Sequence, residues 1–140
     1  MSQFAGDRMP PPLRFEFGAD PAEGAGPHPA LVLVTVDESG APRVAVIARS
    51  ELTAPDERRL MLSVESGSTT CTNLAARRQA SVWCVLDGAA YTIQSVVETV
   101  DAAEERTSFG LRVTGVWRDF RPDAPMTAGP TYKRMEAGAD

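Results

Sequence analysis

The chain has 140 residues, of which 43% are hydrophobic and 24% charged, the balance of an ordinary globular domain and not of a disordered segment. A formal net charge of -5, with its cations in separate pairs such as Arg58-Arg59 and Arg77-Arg78, argues against a nucleic-acid partner, which needs clustered Lys and Arg. No apolar stretch approaches the ~20 residues that span a bilayer, and MSQFAGDRMPPPLRF lacks the basic head and apolar core of a secretory signal, so a cytoplasmic protein with no membrane role is expected.

Residues 1–29, rich in Pro, Gly and Ala, read as an N-terminal arm in which only LRFEF, Leu13 to Phe17, has strand character. His28, flanked by Pro27 and Pro29, is expected on a surface loop, with no carboxylate close in sequence to orient it as a base. Residues 30–120 carry the fold. Leu31 to Val36 is apolar on both faces, so neither side of that strand is expected to meet bulk water. Asp37 to Pro42 (DESGAP) is turn-forming, and the next strand puts Val44, Val46 and Ala48 on one face, with Arg43, Ala45 and Ile47 on the other.

Thr53 to Glu57 (TAPDE) breaks the pattern. Arg59 to Glu65 then alternates Leu60, Leu62 and Val64 against Met61, Ser63 and Glu65, the signature of a half-buried antiparallel strand. The spacing of Cys71, Leu74, Ala75 and Arg78 predicts a short helix over Thr69 to Arg78. Ala80 to Leu86 and Tyr91 to Val97 flank Asp87-Gly88, a dipeptide suited to a two-residue hairpin turn. After the charged stretch Glu98 to Ser108, a last strand, Phe109 to Trp117, is expected to turn Phe109, Leu111, Val113 and Trp117 inward. Residues 121–140 read as a tail that wraps the body without forming an element.

Six or seven hairpin-joined strands with one inserted helix predict a mainly β protein, a closed or nearly closed Greek-key-like antiparallel barrel, because closure removes exposed strand edges. Strands apolar on both faces exceed what one small barrel's interior absorbs, and the surplus predicts a homodimer. Cys71 and Cys84, thirteen positions apart, suit neither a disulfide nor a metal site and read as structural thiols.

The turn before the helix concentrates the chemistry. Ser66, Ser68, Thr69, Thr70 and Thr72 bring five hydroxyls beside Gly67, at a helix start whose first N–H groups lack partners and attract phosphate. The alternative is that Ser68 or Thr69 simply caps the helix. A lone histidine, no GxSxG and no paired carboxylates leave hydrolysis without a team of residues. An enzyme built on this chain would borrow its reactive atoms from a cofactor, with redox chemistry as the natural class.

The stretch HPALVLVTVDESGAPRVAVIA through LMLSVESGSTTCTNLAARRQASVWCVLDGAAYTI, and more loosely Phe109 to Phe120, resembles the pyridoxamine 5′-phosphate oxidase-like, FMN-binding split-barrel superfamily. The resemblance rests on the strand ending in T-V-D, the G-x-P turn, the Ser/Thr turn, the N-L of the helix and the following A-S-V. It implies a split-barrel homodimer with FMN, or alternatively the deazaflavin F420, at the subunit interface. The ring would lie against Arg43, Val44, Ala45 and Val46 of the Arg43 to Ala48 strand and against Met61 to Ser63. The phosphate would meet Ser68, Thr69, Thr70 and Thr72, while partner-subunit residues, with Gln94, Trp83 and Trp117 as candidates, would close the site.

By the same resemblance the activity would be that of an FMN-dependent oxidoreductase, taking electrons from a nicotinamide donor or a small-molecule substrate. A non-catalytic flavin, deazaflavin or haem binding protein is the alternative. The chain departs from the oxidase proper in two places. Thr69 and Thr70 stand where a basic pair is expected, so hydroxyls and amides alone would hold the phosphate more weakly unless Arg43, Arg49, Arg77 or Arg78 reaches in, and the oxidase's basic, aromatic tail is not recognisable.

Overall fold

The computed structural model describes residues 1–18 and 28–133; residues 19–27 of the arm and 134–140 of the tail lie outside the described residues. Among the described residues, nine strands and two helices follow one another as β1 (Ser2–Gly6), α1 (Pro11–Gly18), β2 (His28–Val36), β3 (Pro42–Ala48), β4 (Leu52–Asp56), β5 (Arg59–Glu65), α2 (Thr69–Arg77), β6 (Gln79–Leu86), β7 (Ala89–Asp101), β8 (Arg106–Asp119) and β9 (Thr131–Tyr132). All pairings are antiparallel, in the order β3-β2-β6-β7-β8-β5-β4, with β1 added to β8 and β9 to β2.

The two end strands of this path, β3 and β4, are consecutive in the chain. Only the 3₁₀ turn Arg49–Glu51 separates them. The sheet therefore curls until its edges meet at one corner without pairing there, which makes it a split barrel with an open seam. Its interior holds Leu33, Leu52, Leu60, Leu62, Val82, Ile93, Phe109 and Leu111, all essentially inaccessible. The core positions follow the expected alternation, since side chains on a strand point to opposite faces in turn.

Several features differ from the sequence expectation: Ser2–Gly6 forms β1 in the arm, and β7 and β8 run into the Glu98 to Ser108 stretch expected to separate two strands. LRFEF is helical, because Pro10 and Pro11 suit a helix start, where the missing N–H costs nothing, and the Leu13 and Arg14 N–H groups both donate to the Pro10 carbonyl. Leu13 and Phe17 of α1 are buried in the barrel core, each such burial stabilising the fold by about 1.5–3 kcal/mol. The TAPDE stretch is no break but most of β4, where Pro55 is accepted because β4 is an edge strand, at a register shift between Thr53 and Asp56.

His28 opens β2 and is buried, its ring 5.3 Å from that of Tyr132, because the tail returns to pair β9 with β2. Trp117 faces outward. A register shift between Gln94 and Ser95 pairs these residues with Gly115 and Val113, and the extra residue reverses the alternation so that Val116 takes the interior place. The tail, expected to form no element, contributes β9, and the Met126 N–H donates to the Gly88 carbonyl and the Ala30 N–H to the Pro130 carbonyl.

The Asp87-Gly88 turn holds both residues at positive φ, 52° and 80°, as the tight hairpin between β6 and β7 requires. Outside the barrel, one residue per strand forms a row across six strands. Val46 pairs Val32, Val32 pairs Trp83, Trp83 pairs Thr92, Thr92 pairs Trp117, and Trp117 pairs Phe4. The Phe4 and Trp117 rings meet edge-on at 5.0 Å, and Trp117 lies over Gly115, where a Cβ would stand 2.6 Å from the indole.

Candidate functional site

The turn that ends β5 is built by its own polar groups. Gly67 takes φ 81°, a left-handed conformation that only glycine adopts freely, and the Ser68 N–H reaches back to the Glu65 carbonyl. The Ser68 hydroxyl donates to the same carbonyl at 2.7 Å and accepts the Cys71 N–H at 3.1 Å, so Ser68 is the N-cap of α2. The Ser66 hydroxyl donates to the Ala103 carbonyl at 2.7 Å and lies 2.8 Å from Thr107 Oγ1, tying the turn to the loop between β7 and β8. Both serines are thus engaged within the protein, and Thr69 and Thr72 are the exposed hydroxyls of the helix start.

Thr69 and Thr72 face a cleft of about 410 Å³ that is also lined by Asp37, Glu38, Ser39, Arg43, Gly67, Asn73 and Arg77. Of the residues named from sequence, Arg43, Thr69, Thr72 and Arg77 come together here. The cleft has the β2–β3 turn for one wall and one side of α2, from Thr69 to Arg77, for the other. Its formal charges balance, two arginines against Asp37 and Glu38. Asp37 Oδ1 accepts the Ser39 hydroxyl at 2.6 Å, the Ser39 N–H at 2.9 Å and the Ala41 N–H at 3.0 Å, while its Oδ2 lies 3.9 Å from Arg43 Nε. The Ser39 hydroxyl, followed by the Ala41 N–H, holds the Asp37 carboxyl below its usual pKa.

Thr70 does not line this cleft. Val44 and Val46 are exposed on the outer face of β3, at 69% and 67%, while Ala45 is half-buried on the opposite face. Ser63 belongs to a second cleft of about 550 Å³, shared with Ala48, Ser50, Glu51, Arg106 and Tyr132. The two clefts thus meet β3 at its opposite ends, Arg43 and Ala48. These are about 17 Å apart at roughly 3.3 Å per residue. Arg49 and Arg78 serve structure: Arg49 is buried, donating to the Leu52 and Glu16 carbonyls over the Phe17 ring, and Arg78 is the left-handed C-cap of α2, donating to the Val97 and Glu98 carbonyls.

Glu51, Arg106 and Tyr132 were not among the residues singled out from sequence. Arg106 and Glu51 stand 55 positions apart, so no local spacing could announce their meeting. Among the described residues no group of His, Cys, Asp and Glu could hold a metal ion, and no helix is long and apolar enough to cross a membrane. Cys84 is buried and Cys71 half-buried, both free thiols.

No family model matches the chain. It is 29% identical over 106 residues to the uncharacterized protein YclD of Bacillus subtilis (strain 168), covering 73% of this chain and 69% of YclD. Among solved structures, a candidate pyridoxamine 5′-phosphate oxidase from Lactobacillus delbrueckii aligns at a TM-score of 0.63 with 14% identity, covering 83% of this chain and 98% of that one. An F420 reductase aligns at 0.55 with 13% identity over 63% and 88% of the two chains. The styrene monooxygenase flavin reductase of Pseudomonas putida S12 aligns at 0.53 with 17% identity over 64% and 80%.

Proposed function

From the split-barrel fold of the pyridoxamine 5′-phosphate oxidase-like superfamily, which this chain shares, we propose that it is an FMN-dependent oxidoreductase with the flavin bound between two copies of the chain. One observation carries this reading: Arg43 and Arg77 converge with Thr69 and Thr72 on one cleft at the start of α2. The group fits a phosphate monoester. Two guanidinium forks supply charge-assisted hydrogen bonds, the threonines supply hydroxyls, and the first N–H groups of α2 lack helical acceptors and carry partial positive charge. The cations absent from the turn itself thus come from β3 and from the last turn of α2.

From that cleft the edge of β3 runs to Ala48 and the second cleft. β3 has β2 as its sole ladder partner among the described residues, so alternate N–H and C=O groups along its other edge, other than the Ala48 N–H that Glu51 accepts, are available to the polar rim of a ring. The length from Arg43 to Ala48 suits a ribityl phosphate with a tricyclic ring. Bound flavin supplies an acceptor of hydride or single electrons. The protein's part is to anchor the phosphate, orient the ring and exclude water.

The outer row through Val46, Val32, Trp83 and Trp117 is the face on which the second copy would sit, bringing Trp83, Gln94 or Trp117 toward the ring of its partner. The test is a titration of the purified protein with FMN, riboflavin and a deazaflavin, followed by rapid mixing with NADH and NADPH. Saturable FMN binding that riboflavin cannot match, with reduction by a nicotinamide, supports the reading. A protein that ignores all three compounds rejects it. Tight binding with no reduction above background would instead mark a flavin carrier.

A further inference from the structure

We propose that Glu51 and Arg106 clamp the open seam of the barrel, and that Arg106 is a positioning residue that holds Ser63 Oγ and turns its O–H toward the site. The second half of this inference rests on the flavin reading; the first does not.

The clamp is a chain of short contacts whose ends, β3 and β5, share no ladder, its last link lying within the paired strands β8 and β5. Glu51 ends the 3₁₀ turn at the corner where the two sheet edges meet. One of its oxygens accepts the Ala48 N–H at the end of β3, at 2.9 Å, and the other accepts Arg106 Nη2 at 2.5 Å. Arg106, the first residue of β8, donates that same nitrogen to the Ser63 carbonyl at 2.8 Å and its Nε to Ser63 Oγ at 2.8 Å. A continuous path therefore runs from β3 through Glu51 and Arg106 to β5, crossing the seam that backbone pairing leaves open.

The chemistry of the last bond is directional. A guanidinium only donates, so Ser63 Oγ must receive from Arg106 through a lone pair, and its own hydrogen is left to point elsewhere. No acceptor for that hydrogen is found among the described residues, and Ser63 lines the adjoining cleft with Ala48, Ser50 and Tyr132. A ligand in this cleft thus meets an O–H turned away from Arg106 and available to donate, with one lone pair still open, a group suited to a ring carbonyl or ring nitrogen. The pair is also placed to position more than to stabilise. Arg106 and Glu51 side chains are 47% and 29% exposed, a setting in which ion pairs add little to folding.

Amide hydrogen exchange on the ligand-free protein tests the clamp, and FMN titration tests its consequence, using Arg106→Ala, Arg106→Lys, Ser63→Ala and the Arg106→Ala/Ser63→Ala pair. The expected result is Ala48 exchange faster by about ten-fold or more in Arg106→Ala, with the β6–β7 hairpin unchanged. FMN binding should weaken about five- to fifty-fold in each Ala variant. The double variant should be no weaker than the worse single one, since both remove the same donor, and Arg106→Lys should recover part of the loss. Unchanged Ala48 exchange overturns the clamp, and losses that add in the double variant overturn the positioning role. If the wild type takes up no FMN at all, the flavin reading fails and Ala48 exchange alone decides the clamp.

Discussion

Asn73 Nδ2 donates to Thr35 Oγ1 across 3.2 Å, and both side chains are buried. This one bond joins the first turns of α2 to β2, the strand that carries β3 on its edge. Asn73 also lines the arginine cleft. The bond therefore fixes one wall of the cleft against the other, and the N-L of the helix has its physical meaning here: Leu74 fills the barrel end while Asn73 satisfies a buried hydroxyl.

Replacing Asn73 with Ala strands the Thr35 hydroxyl in the interior. The expected cost is about 1–3 kcal/mol, the usual penalty for a buried polar group left without its partner. Urea unfolding should show a lower midpoint with an unchanged slope, because the fold survives and only its stability drops. Adding Thr35→Val should restore much of the loss, since both partners are then apolar. A double variant as unstable as the sum of its singles would show that the bond contributes nothing.

Arg43→Ala and Arg77→Ala each remove one cation from the cleft while leaving the barrel core untouched. Each should reduce FMN affinity by about 1.5–3 kcal/mol, the range for hydrogen bonds to charged groups. Riboflavin, which lacks the phosphate, should bind the variants as it binds the parent. Equal losses for FMN and riboflavin would place the arginines against some other part of the ligand. Raising ionic strength should weaken FMN binding to the parent more than to the variants.

Burial pushes the Cys84 thiol up to about 12 from an ordinary 9.0. The folded chain therefore keeps this proton at pH values where the unfolded chain loses it. Below pH 9 both states are protonated and the group has no effect on stability. Between pH 9 and 12 the unfolded state is favoured, at up to about 1.4 kcal/mol per pH unit for one proton. Denaturation of the parent and of Cys84→Ala across this window should give a steeper decline for the parent, and parallel declines would refute the assignment. At neutral pH the thiol should resist alkylation until the protein unfolds.

Much of the barrel was legible because apolar alternation and turn chemistry are local. Leu60, Leu62 and Val64 face the core, Asp87-Gly88 turns the hairpin, and Ser68 caps α2, all as their immediate neighbours require. What was missed depends on distant partners. Pro55 lies in a strand because β4 is an edge, and His28 is buried because a tail about a hundred residues later returns to Tyr132. Trp117 faces outward because the β7–β8 register slips at Gln94 and Ser95, a shift with no signal in either strand read alone. At the site, the hydroxyls of the turn were visible, but their division into Ser66 and Ser68, used internally, and Thr69 and Thr72, facing the cleft, needed the fold. The meeting of Arg43 with Arg77, and of Glu51 with Arg106, is likewise tertiary.

The outer row gives the test of the second copy. Val46 is paired with Val32, and Val32 with Trp83, so a charge at Val46 enters a line that is apolar apart from Thr92. On an isolated protomer Val46→Lys should change stability by no more than about 0.5 kcal/mol, as for other exposed positions. In a dimer closed by a two-fold axis the same substitution enters the interface twice, and a buried unpaired ammonium costs several kcal/mol. Sedimentation should therefore show a dimer for the parent and a folded monomer for Val46→Lys, with FMN binding lost alongside the dimer if partner residues complete the site. A parent that sediments as a monomer at all concentrations, or a Val46→Lys variant that still pairs, would remove this face from the assembly and require the flavin cleft to close within one chain.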